Sequence, residues 1–335
     1  MQTKPKIIMV KILILTPSRT DSPSFYRSGG IAPDLKKRMD IEIDIRQPDQ
    51  IILHWQNLLL YDLIMLQRPY LDDMVSLMDY CKDLGIPLWV DYDDYLLGVP
   101  ADNHHSATYD PHTRENIKAL LKGADIVSVS TKPLKEAFKE YNKDIRVIPN
   151  AFNDFIFKKT VFQPQRQRLF MWRGGESHIY DIMSMGNAYN KAMKAYKDWH
   201  FLFMGFMPWY LDRSSNFFHL DPQDVIHYHK NVLKMAPAAF TVPLYDNLFN
   251  HCKSNIAWIE ASYFGAVCIA PDWEDWQVPG VLKYSNEAEF SAAISTIAEG
   301  YDYSKDLKAA ADYIRGNLML SEVNKLREDI IKSLL

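Results

Sequence analysis

Lys253 and Glu260, a cation and a carboxylate, fall within residues 252–265, CKSNIAWIEASYFG, followed by the apolar run AVCIAP. The periodicity predicts a helix over 252–265, a glycine stop and a short buried strand. At about 100° per residue, Cys252, Ile256, Ile259 and Tyr263 share one stripe, while Lys253, Ala257, Glu260 and Phe264 share its neighbour. The two charges then lie two turns apart, ~10 Å, with only a methyl group between them. Lys253 near a helix start suits a phosphate, and Glu260 suits the diol of a ribose. Ser254 and Asn255 belong to the same start, so the set fits a nucleoside diphosphate. The alternative is an amphipathic helix with both charges on a solvated face.

A second phosphate-type arrangement occurs at residues 168–181, which read as strand, glycine turn and helix start. Gly174 and Gly175 let backbone approach a phosphate, and a helix N-terminus adds partial positive charge. Arg173 can add a bidentate contact, and His178 a softer donor. The strand over 200–205 also ends in a glycine, Gly205, and joins this donor-binding set.

Carboxylates close another strand, in GIPLWVDYDDY at 85–95. Asp91, Asp93 and Asp94 could hold a divalent cation, but they stand in the half of the chain opposite the phosphate-type helix. A metal site is therefore the weaker reading, and Asp93 and Asp94 are kept as candidate catalytic carboxylates. The loop over 97–112 carries His104, His105 and His112. With no cysteine nearby and no i,i+4 pair, zinc is the weaker reading, and His104 is kept as a single candidate catalytic group. After the first strand, Arg19, Tyr26 and Arg27 are acceptor-side candidates, because loops outside the carboxyl ends of parallel strands hold ligands. A plain solvated loop is the alternative. Gly29-Gly30 does not make a dinucleotide fingerprint.

The run PLYDNLFNHCKS through Glu260 to Gly265-Ala266-Val267 resembles the donor-binding element of bacterial and phage nucleotide-sugar glycosyltransferases. The resemblance is to the retaining, family-4-like group that includes O-antigen and sucrose-phosphate synthase-like enzymes. It implies the GT-B fold, α/β with two Rossmann-like domains facing across a cleft. It also implies that Lys253 contacts the donor diphosphate and Glu260 the nucleotide ribose, that Asp93 or Asp94 lines the interdomain cleft near the acceptor or the reacting sugar, and that His104 contacts the transferred sugar. Where many members carry a second Glu, this chain has Cys252. The segments ADIVSVST and RVIPNAFN are similar to the end of the N-terminal domain in that fold, and Arg173 matches its first-strand Arg. The implied reaction is metal-independent transfer from a UDP- or GDP-sugar co-substrate to a glycan or other hydroxyl acceptor, with retention. No cofactor is expected.

A length of 335 residues suits two domains better than one core. The expected division is an acceptor-side domain at 1–157, a donor domain at 158–319 and a helix at 320–335 returning to the first domain. Residues 1–8 are expected to form a loose leader. A 47% hydrophobic, 24% charged composition is that of a soluble globular protein. No apolar run is long enough to span a bilayer, which points to the cytoplasm. Cys81, Cys252 and Cys268 lack metal-site spacing and read as reduced packing residues. A net charge of -4 does not indicate DNA as a partner. A phage enzyme acting on modified DNA bases, the alternative, would need Lys36, Lys37, Arg38, Lys158, Lys159 and Arg166 gathered beside the cleft. A nucleotide-sugar-binding module without catalysis is the alternative of another class.

Overall fold

The computed structural model describes residues 9–52, 54–158, 162–164 and 167–335. The expected leader, Lys159 and Arg166 lie outside those residues. Two six-stranded sheets carry the architecture, and every strand pair in them is parallel.

The first sheet contains β1 (Lys11–Leu15), β2 (Glu42–Arg46), β3 (Leu63–Gln67), β4 (Leu88–Tyr92), β5 (Ile126–Val129) and β6 (Ile145–Val147), ordered β2-β1-β3-β4-β5-β6. Its inner strands are continuous apolar runs because helices cover both faces. The alternating β2 lies at the edge, as its pattern predicts. The order reverses between β1 and β3, and that reversal opens a crevice at the carboxyl ends of those strands.

The second sheet contains β7 (Gln167–Gly174), β8 (His200–Gly205), β9 (Phe217–Leu220), β10 (Pro237–Thr241), β11 (Val267–Pro271) and β12 (Val281–Tyr284), ordered β12-β11-β10-β7-β8-β9. Here the reversal falls between β7 and β10. The closing helix Leu320–Leu334 packs on Ala32–Met39 of the first half. Asn324 Nδ2 donates to Asp34 at 2.8 Å, and Arg38 pairs with Glu328. Among the described residues no helix is long and apolar enough to cross a membrane.

Two local expectations fail for identifiable reasons. The helix expected over 252–265 is two helices, Leu248–His251 and Ile256–Phe264. The Asn247 side chain caps the first by accepting from the Asn250 amide at 2.8 Å, and the chain turns at 252–255 before restarting. Gly265 then stops the second helix at φ 80°. Residues 257–264 are all buried, which removes the solvated-face alternative. The loop expected around Ser24–Gly30 instead contains a π-helical turn, Phe25–Gly29. Such widened turns redirect successive side chains, and this one sends Tyr26 and Arg27 to different partners.

Candidate functional site

A cavity of about 700 Å³ lies between the two halves at the β7/β10 reversal. Arg173, Gly174 and Gly175 enter it from the end of β7, and Thr241 to Leu244 from the end of β10. His178, Gly205, Lys253, Ser254 and Glu260 also line it from the second half. Tyr26, Arg68, Asp93, Asp94, His105 and Asn150 face them from the first half. Asn255 is not in the lining; its side chain donates to the Asp275 carbonyl at 2.9 Å.

The glycine turn is tightly built. A Cβ on Gly174 would come within 2.7 Å of the Trp172 ring. Gly205 has φ 102°, and a Cβ there would meet the Gly174 carbonyl oxygen at 2.2 Å. Those two positions therefore exclude side chains and leave backbone on the cavity wall. His178 donates or accepts at Nδ1 with Asp181, 2.7 Å away. Asp181 is buried and also accepts from the Tyr245 amide at 2.9 Å and Asn250 Nδ2 at 2.6 Å. Burial opposes its charge, but His178, the Tyr245 amide and Lys253 outweigh burial and hold its pKa below the ordinary value. A carboxylate at Nδ1 leaves the other ring nitrogen, Nε2, to meet a ligand.

Lys253 stands at the turn before the helix Ile256–Phe264, 3.5 Å from Asp94 and 4.4 Å from the centre of the Phe249 ring. Ser254 Oγ accepts from Asn150 Nδ2 at 2.8 Å, joining the two halves. The first turn of that helix lines the cavity through Ile256 and Ala257, with Glu260 one turn further on, and the helix-start dipole favours an anion there.

Glu260 is 3% exposed and fully engaged. Arg173 holds it through Nε at 2.9 Å and a terminal nitrogen at 2.7 Å. Tyr228 donates at 3.0 Å, and Tyr26, from the first half, donates at 2.5 Å. Burial pushes the Glu260 pKa up, but Arg173, His229 and the Tyr26 hydrogen bond outweigh it, and the group lies below its ordinary value. As built, both carboxylate oxygens face protein donors, so a ribose would have to displace one. Tyr228 was not anticipated from the sequence.

Asp93 and Asp94 share one guanidinium, that of Arg68, with Asp94 at 2.6 Å. Burial raises both carboxyl pKa values. For Asp94, Lys253, Arg68 and His178 reverse that effect and lower it; for Asp93, burial together with Asp94 prevails over Arg68. Arg68 itself has φ 49°, a left-handed backbone that a non-glycine residue rarely adopts and that costs ~1–3 kcal/mol.

Several expected residues lie elsewhere. Arg27 is 1% exposed and does not line the cavity. It grips Asp91 through two bonds, 2.9 and 2.5 Å, and donates to the Ile148 carbonyl at 2.6 Å, so it is a buried strut rather than an acceptor-side group. The same pairing removes Asp91 from any metal triplet. Arg19 is exposed outside the cavity lining. His104 pairs with Glu176 at 3.0 Å on the surface, and it is His105 that reaches the cavity. Cys252 is fully buried against the first half, its carbonyl accepting from Thr131 Oγ1 at 2.9 Å. Lys36, Lys37, Arg38 and Lys158 are not in the lining. Among the described residues no three His, Cys, Asp or Glu side chains converge to hold a metal ion.

The sequence matches no protein-family model and no curated protein. The structure is similar to sucrose-phosphate synthase from Thermosynechococcus elongatus, with TM-score 0.66 at 13% identity over 97% of this chain and 99% of that one. It is similar to Anabaena Alr3699/HepE, solved with UDP, with TM-score 0.64 at 11% identity over 97% and 100% of the two chains. UDP-GlcNAc 2-epimerase from Neisseria meningitidis, bound to UDP-GlcNAc, gives TM-score 0.52 at 12% identity over 97% and 99%. At these identities the likeness shows the architecture expected from the sequence: two parallel α/β halves across a cleft, the GT-B fold.

Proposed function

We propose that the protein moves a sugar from a UDP- or GDP-sugar to a hydroxyl acceptor. The observation that carries this reading is that Arg173, the Gly174-Gly175 turn, His178 and Lys253 line one cavity at the reversal of the second sheet. We assign the donor to residues 158–319, the acceptor to residues 1–157, and to 320–335 the task of tying the halves together.

In the transfer, the bond from the anomeric carbon to the diphosphate breaks and its electron pair leaves on the phosphate oxygen. Lys253, His178 and the helix-start amides stabilise that charge, and being fixed in place they need little reorganisation. The acceptor oxygen bonds to the anomeric carbon, and its proton passes to the Asp93–Asp94 pair. Glu260 reaches the ribose only after Tyr26 gives up its hydrogen bond, which couples nucleotide entry to movement of the first half. Retention is the outcome implied by the family resemblance.

A second reading, epimerisation of the sugar with no acceptor, is favoured by the likeness to the Neisseria epimerase. Incubating the protein with UDP-GlcNAc and following the products by NMR separates the three alternatives. Nucleotide release with the sugar passed to water, the one hydroxyl acceptor present, marks transfer, an epimer with nucleotide retained marks epimerisation, and unchanged sugar with saturable binding marks a binding module.

A further inference from the structure

Asp181 is absent from the cavity lining, yet it governs what the His178 ring presents there. It is 4% exposed and serves three partners. One carboxylate oxygen accepts from the Tyr245 amide at 2.9 Å and Asn250 Nδ2 at 2.6 Å, and the other lies 2.7 Å from His178 Nδ1. Two fixed donors on the first oxygen hold the group in one orientation and favour its charged form. An ionised carboxylate only accepts, so the proton in the third contact belongs to Nδ1.

That assignment settles the other ring nitrogen. With Nδ1 protonated, a neutral ring carries a bare lone pair at Nε2, and only the imidazolium has a proton there. The Nε2 edge is the one turned to the glycine turn on the cavity wall: Cδ2, bonded to Nε2, lies 2.9 Å from where a Cβ on Gly174 would stand. The diphosphate of a nucleotide sugar offers oxygen acceptors and no proton, so it would meet a lone pair with a lone pair. Protonation turns that repulsion into a charge-assisted hydrogen bond.

The charges around the ring are divided. Arg173 and Lys253 line the same cavity and oppose a further cation, although Arg173 is paired with Glu260. Across the cavity Asp93 and Asp94 share Arg68, Asp94 also faces Lys253 at 3.5 Å, and His105 stands beside them in the lining. On the turn before His178, Glu176 is engaged by His104 at 3.0 Å. A diphosphate adds negative charge to this set and moves the balance toward the imidazolium.

We infer that Asp181 is a positioning residue that makes nucleotide-sugar binding proton-coupled: His178 holds the diphosphate as an imidazolium, and a proton enters the site with the ligand. The inference rests on the donor reading.

The test is calorimetric titration with UDP-glucose and GDP-glucose between pH 6 and pH 8.5, in buffers of different ionisation heat. Both phosphates of these probes are diesters with no proton to exchange in that range, unlike the terminal phosphate of UDP or GDP. In the wild type, binding takes up a proton in the upper part of the range, and affinity falls roughly tenfold or more from pH 6 to pH 8.5. Asp181→Asn keeps an oxygen for the Tyr245 and Asn250 donors and turns its amide nitrogen to Nδ1, so the neutral ring carries its proton on Nε2. Its affinity is nearly flat across the range and binding takes up no proton. His178→Lys, charged throughout, behaves likewise and keeps the test readable if Asp181→Asn does not fold. Wild-type binding without proton uptake would mean that Nε2 accepts from a sugar hydroxyl instead, and overturns the inference alone. Uptake that persists in either variant assigns the proton to the Asp93 and Asp94 carboxylates and also overturns it. Failure of both probes to bind even at pH 6 overturns the donor reading, and this inference with it.

Discussion

The Tyr26 hydroxyl, on the first half of the chain, donates a 2.5 Å hydrogen bond to the Glu260 carboxylate on the second. The acceptor is charged, buried and already paired with Arg173, so this bond joins the two halves through the carboxylate that we propose meets the ribose. Tyr26→Phe removes a hydrogen bond to a buried charge and should lower stability by ~1.5–3 kcal/mol in urea unfolding. An unchanged midpoint would mean that the two halves are not held through this contact.

The Glu260–Arg173 pair also sets a pH dependence. The folded carboxylate has a pKa below its ordinary value of 4.5, so its contribution is fully present above that value and is lost as pH falls from about 4.5 through the lower, folded pKa. Glu260→Gln removes the titration while its one amide oxygen can still accept from Arg173 and Tyr228, its amide nitrogen then facing the Tyr26 hydroxyl as a donor. Its stability should decline less steeply than that of the wild type between pH 5 and 3. Parallel decline of the two proteins would remove Glu260 as a source of acid sensitivity.

Asp94 competes with any diphosphate for Lys253, since the two stand 3.5 Å apart. Asp94→Asn should therefore tighten UDP or GDP binding by roughly fivefold, about 1 kcal/mol, while transfer falls because the carboxylate pair is broken. Weaker nucleotide binding in this variant, read by calorimetry, would show that Asp94 positions Lys253 rather than occupying it.

Burial pushes the Cys81 and Cys252 thiols up to about 12 and raises Cys268 further. At pH 8 all three should be silent to a thiol reagent until the protein unfolds, when three react. Because Cys252 sits where the halves meet, one fast-reacting thiol would report that the cleft opens widely in solution.

The sequence revealed the elements whose signal is local. Strands such as β1, β8 and β11 are unbroken apolar runs, and the glycine turns at 174–175 and 205 announce themselves by residue type. What it hid was partnership across long separations. Arg27 and Glu260 both read as ligand-facing charges, yet Arg27 pairs with Asp91, 64 positions on, and Glu260 with Arg173, 87 positions back. No periodicity encodes such contacts. The restart of the helix at Ile256 was masked because Cys252 fits the apolar stripe, although Asn247 and Asn255 were visible as helix-start residues. Asp181 could have been found, since a carboxylate three positions after His178 falls on the same helix face. The left-handed Arg68 could not, because the following Pro69 argues for an extended backbone there.

Calorimetric titration with UDP and GDP asks whether a nucleoside diphosphate binds between the Arg173 turn and Lys253. Saturable binding of at least one of them is expected, weakened tenfold or more, about 1.4 kcal/mol, in Lys253→Ala, whose melting temperature stays close to that of the wild type. Binding of neither nucleotide, or equal affinity in wild type and Lys253→Ala, would contradict it.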